Sequence, residues 1–114
     1  MSRSHLKGVV KAMFEGNGWE KLANPKARQH GTAWPTSPNL QERYGIRFDY
    51  AGTTDGKHRY TIQGNKKADN STIKEWVNKH GSDAKIAQVE IKEGASKDET
   101  REEIDKTFDQ ISLG

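Results

Sequence analysis

Residues 44–64 read YGIRFDYAGTTDGKHRYTIQG, and this stretch decides the fold because its apolar and polar side chains alternate at the two-residue period of an extended strand. Ile46, Phe48 and Tyr50 fall on one face of a first strand, and Tyr60 and Ile62 on the same face of a second. Arg47, Asp49, Arg59, Thr61 and Gln63 fall on the other face. Between the strands, Gly52-Thr53-Thr54-Asp55-Gly56 supplies glycines and an Asp-Gly step for positions at positive φ. The stretch therefore predicts a β-hairpin with one core face and one polar face carrying two arginines.

Upstream, Leu6, Val9, Val10, Met13 and Phe14 recur at helical spacing after Ser4, which can cap the helix, and Gly16-Asn17-Gly18 ends it. Trp19 and Leu22 read as a flap over that core. Residues 23–43 carry all three prolines and show no convincing period, which predicts a long loop of the kind that is functional or disordered. A short strand across Arg28 to Trp34 would add an edge to the sheet.

Downstream, Asn65-Lys66-Lys67-Ala68-Asp69-Asn70 is a polar connector, and Asn70 or Ser71 caps a helix with Ile73, Trp76, Val77 and His80 on one side. Lys85 to Lys92 alternates as a third strand, with Ala87, Val89 and Ile91 inward. Ser96 and Glu99 form a capping box, opening a highly charged helix with a narrow Ile104, Phe108 and Ile111 stripe. The chain thus reads as a single α+β domain over residues 1–114 in the order α-β-β-α-β-α. Its sheet is mainly antiparallel, with three strands, or four if Arg28–Trp34 joins. A helical crossover lets the third strand pair beside the first, which gives the expected order 2-1-3.

The composition limits what such a domain can be. Hydrophobic residues make up 31% of the chain and mean hydropathy is -1.05, so the core is thin and leans on its aromatics. With no cysteine, disulfides, thiolate metal sites and cysteine nucleophiles are excluded, and a cytoplasmic protein is the fitting expectation. No apolar run reaches the roughly 18 residues of a membrane span, and the first residues lack a signal-peptide apolar region, so no membrane partner is expected. The net charge of +3 conceals a division. Residues 1–67 hold twelve Lys/Arg against five Asp/Glu, and residues 68–114 hold seven against eleven. A basic half with interleaved aromatics is what a phosphate backbone attracts, whereas chance clustering on a solvated surface is the plainer reading.

Four readings follow. For nucleic acid, RNA above all, Lys26, Arg28, Arg47, Arg59, Lys66 and Lys67 supply phosphate contacts and Trp34 a stacking ring. Trp34 beside Pro35 reads equally as a loop anchor. A metal-independent ribonuclease of the bacterial toxin type would add His30 and His58 as general acid and base, with Arg47 and Arg59 on the developing phosphorane charge. His58 shares parity with Tyr60 and Ile62, so closing the edge of the core is its alternative role. Glu90-Ile91-Lys92 with Asp83 resembles the PD-(D/E)xK nuclease motif over a few residues, but Asp83 stands too close and a following strand is missing. No histidine spacing suits zinc and no phosphate loop of the P-loop type occurs, so no metal or cofactor is expected. In a non-enzymatic alternative, the acidic helix 96–112 meets a basic protein partner as an inhibitor or adaptor would.

Overall fold

A computed structural model describes residues 2–15, 18–24, 33–81 and 85–111. Its elements are α1 (Arg3–Phe14), a 3-10 turn (Trp19–Leu22), β1 (Ala33–Trp34), α2 (Pro38–Tyr44), β2 (Ile46–Thr54), β3 (Lys57–Gly64), α3 (Ser71–His80), β4 (Lys85–Lys92) and α4 (Lys97–Gln110). The α+β class read from the alternation is the one observed.

The hairpin forms as its pattern dictates. Ile46, Phe48, Tyr50, Tyr60 and Ile62 are all buried on one face, and Phe48 stands opposite Ile62, and Tyr50 opposite Tyr60. The turn is tighter than the glycine-rich run suggested. Thr54 pairs with Lys57, leaving Asp55 and Gly56 alone at the tip with φ of 53° and 73°, the left-handed pair that matches strand twist. The rest of the run, Gly52 to Thr54, stays in β2, where the register slips between Tyr50 and Thr53.

Strand order corrects the expected 2-1-3. The sheet runs β1-β2-β3-β4, and every neighbouring pair is antiparallel. The outer edge of β2 is already taken by β1, through Trp34 opposite Phe48 and Ala33 opposite Asp49. The segment between β3 and β4 does not cross the sheet, because β4 starts at Lys85 opposite Gln63, where β3 ends. Connector and α3 make an excursion out and back at one end. Pairing Ala87 with Ile62 and Val89 with Tyr60 then extends the apolar face by one strand.

Two glycines permit this end. A Cβ on Gly64 would lie 2.4 Å from Val77 Cγ2, so α3 seats on β3 only because that side chain is absent. Gly45, at φ 81°, closes α2, and a Cβ there would lie 2.9 Å from the Ala68 Cβ.

The 23–43 loop is also corrected: its last third is helical. α2 has Pro38 in its first turn and Gly45 after its end, but it contributes no buried residue, so no apolar period marked it. The peptide bond between Trp34 and Pro35 is cis. α1 starts earlier than Ser4 implied, since Ser2 is its cap and accepts from the His5 N–H. Asn70 caps α3 by accepting from Thr72 and Ile73 N–H, and Ser96 and Glu99 form the expected capping box.

The core lies between the apolar sheet face and α1, α4 and the 3-10 turn. Leu6, Val10, Met13, Phe14, Leu22, Ile104 and Phe108 meet Phe48, Tyr60, Ile62, Val89 and Ile91 there. Phe14 is its aromatic hub, 5.3 Å edge-on from Phe48 and stacked at 4.9 Å on Trp19 and at 4.3 Å on Trp34. The Tyr60 hydroxyl donates to the Leu22 carbonyl at 3.0 Å, which satisfies the one polar atom of that ring. Lys7 pairs with Asp109, and Arg3 Nε donates to the Ile111 carbonyl, tying the start of α1 to the end of α4.

Candidate nucleic-acid interface

Antiparallel pairing sorts the candidate residues by face and by end. Arg47 sits near the start of β2, half-buried on the polar face. Its Nε donates to Asp49 at 3.1 Å and its Nη2 to Gln63 Oε1 at 2.7 Å, so the guanidinium is held across β2 and β3 while one carboxylate offsets part of its charge. Arg59 lies on the same face opposite Glu90, and its buried Nε has no hydrogen-bond partner.

Lys66 and Lys67 are exposed in the connector leaving β3. Asn65 shapes that turn, its side-chain oxygen accepting from the Lys67 N–H at 2.9 Å and its own N–H donating to the Gly45 carbonyl at 2.7 Å. The Asp69 N–H donates to the Glu42 carbonyl at 2.8 Å, so the connector is fastened to the end of α2. Arg43, in the last turn of α2, is exposed with its guanidinium 5.9 Å from the centre of the Tyr44 ring. Arg43, Arg47, Lys66, Lys67 and the exposed Lys85 thus gather where β2 begins, β3 ends and β4 begins.

The opposite end is acidic. A groove of about 540 Å³ between the end of β4 and the first turns of α4 is lined by Glu90, Glu99, Glu102 and Glu103, with Lys57 and Lys92 as its cations. Glu93 lies there too, its N–H donating to the Gly56 carbonyl in the hairpin turn.

Trp34 and His58 do not join the arginines. Trp34 pairs with Phe48 and so lies on the apolar side, half-buried and nearly coplanar with Phe14 at 8°. His58 is buried on that side, 5% exposed, with Nδ1 3.0 Å from the Tyr50 hydroxyl and 2.9 Å from the Thr53 hydroxyl. Its Nε2 stands 3.6 Å from Glu93 Oε1. Lys26, Arg28, His30 and Asp83 lie outside the described residues. Among the described residues no group of three or more His, Asp or Glu could hold a metal ion. Nor is any described helix long and apolar enough to cross a membrane. Arg43 escaped the sequence reading, although Ser37-Pro38 and Gly45 bracket its helix.

The family model of the subtelomeric hrmA-associated cluster proteins matches residues 1–110. This chain belongs to that family. Two curated members from Aspergillus fumigatus strains, both called subtelomeric hrmA-associated cluster protein, are 29% identical to it over 96 residues, covering 71% of this chain and 73% of theirs. No solved structure matches. The match takes in every described element of the chain, from α1 to α4.

Proposed function

We propose that this chain binds nucleic acid, RNA in preference, at the basic end of its sheet. The observation that carries the reading is the clustering of Arg43, Arg47, Lys66, Lys67 and Lys85 at one end, with the carboxylates of Glu90, Glu99, Glu102 and Glu103 at the other. A phosphate backbone is drawn to the first end and repelled from the second, which orients the ligand as well as holding it. Arg59, Thr61 and Gln63 continue the polar face behind the cations and offer donors and acceptors to sugar and base edges. His58 faces away from both arginines, so general acid-base cleavage by that histidine beside them is not part of the proposal.

Anisotropy titrations of labelled RNA over a range of salt test it. Lys66→Ala with Lys67→Ala should weaken binding and flatten the salt dependence by roughly 0.7 per lost single-strand phosphate contact. Arg47→Ala with Arg59→Ala should weaken it further. Absence of binding to RNA and DNA even at low salt overturns the reading.

A second reading rests on the acidic groove beside α4, whose four glutamates suit a basic protein surface. Pull-down by a basic partner that Glu102→Lys abolishes would favour it.

A further inference from the structure

Between α1 and α2 a groove runs in two lobes that share Tyr44 as their common wall. One lobe, of about 280 Å³, is lined by Trp34, Pro35, Leu40 and Met13, with Lys21 at its rim. The other, of about 380 Å³, lies over Gly8, Val9 and Ala12 of α1, with His5, Asn70 and Arg43 around it. Sixteen residues of the chain are acidic, yet among the described residues no carboxylate lines either lobe, in contrast to the four that line the groove at α4. Leu40, the exposed large hydrophobic among the described residues, borders the first lobe at 39% exposure. The Arg43 guanidinium stands over Tyr44, at the junction.

Flat apolar walls, polar rims and cations without carboxylates are the demands of an unpaired base with its phosphates. Trp34 is already stacked on Phe14, so a base meeting it immobilises no further side chain. Bases within a duplex are stacked and paired and offer no face to such a groove. The groove also adjoins the basic end, since Arg43 belongs to both.

We propose that the two lobes take neighbouring unpaired bases of a single strand, one on each side of Tyr44, with the intervening phosphate at Arg43. The inference rests on the nucleic-acid reading above and makes it specific: the ligand is single-stranded, and selectivity comes from the groove whereas charge comes from the sheet end.

The test uses the full chain with a short oligouridylate carrying one 2-aminopurine, and the same oligonucleotide annealed to its complement. Ala12→Glu and Leu40→Glu place a carboxylate in each lobe at exposed positions and leave the core untouched. The single strand should bind about tenfold or more tightly than the duplex, with quenched 2-aminopurine fluorescence. Each glutamate variant should lose about tenfold in affinity for the single strand and relieve the quenching. Lys66→Ala with Lys67→Ala should weaken single strand and duplex alike. Equal affinity for both forms, or full single-strand affinity in both glutamate variants, overturns the base groove and leaves the charged end standing. Failure of the unaltered protein to bind either form overturns both readings. Self-association that Leu40→Glu abolishes, with RNA binding unchanged, would assign the groove to a second copy of the chain and also overturn the proposal.

Discussion

The two ends of the sheet share the same strands and differ in what joins them. At the basic end, α2, the 65–70 connector and α3 fold back on one another through Gly45 and Gly64, and their exposed positions carry Arg43, Lys66 and Lys67. At the acidic end, a two-residue turn and the start of α4 suffice, and Glu93, Glu99, Glu102 and Glu103 crowd around them. The strands carry five Lys/Arg against two Asp/Glu, with Arg47 beside Asp49 and Arg59 opposite Glu90, and their cations stand at both ends, Arg47 and Lys85 at one and Lys57 and Lys92 at the other. Because strand cations stand at both ends, the difference in charge between the ends comes from the connections, which can be altered without disturbing the sheet.

The comparison breaks most severely where both ends lean on one residue. Phe14 touches Trp19, Trp34 and Phe48, and Phe14→Ala should cost about 3–5 kcal/mol in urea unfolding, loosening both ends together. Loss confined to β1 and α2 in hydrogen exchange would show instead that the ends are independent. Gly64→Ala should act on the basic end alone, because the new methyl meets Val77 at 2.4 Å. A cost of about 1–3 kcal/mol is expected, with faster amide exchange in α3 and α4 unchanged, and Val77→Ala in the same chain should recover part of it. A neutral Gly64→Ala would mean that α3 is free to shift. Smallest is the acidic end: Ser96→Ala removes half of a capping box and should cost about 1 kcal/mol, with RNA affinity unaltered. Any change in RNA affinity there would undo the separation of the two ends.

Much of the fold is legible in the sequence, for a physical reason specific to each element. β2 and β3 bury one face and expose the other, so period two is written into Ile46 to Gln63. α4 announced itself through Ser96 and Glu99. α2 was illegible because it buries nothing: with no apolar stripe its seven residues resemble loop, and only Pro38 and Gly45 mark its ends. Arg43 was hidden along with it, and so was the groove that α2 forms with α1. The sheet order was misread because a helix between two strands suggests a crossover, whereas the register of Gln63 with Lys85 returns the chain to its starting end. For His58 the strand parity pointed correctly to the buried side, and that same parity separates it from Arg59, one residue away.

The borders of the sheet bear on how the protein behaves at high concentration. On one side the described residues of β1 are two, Ala33 and Trp34, which offer little backbone to template the addition of another chain. On the other, β4 presents exposed Lys85, Gln88, Glu90 and Lys92, so a second strand approaching that border would have to strip water from three charged side chains to hydrogen-bond alongside it. Both borders therefore disfavour edge-to-edge pairing between copies of the chain.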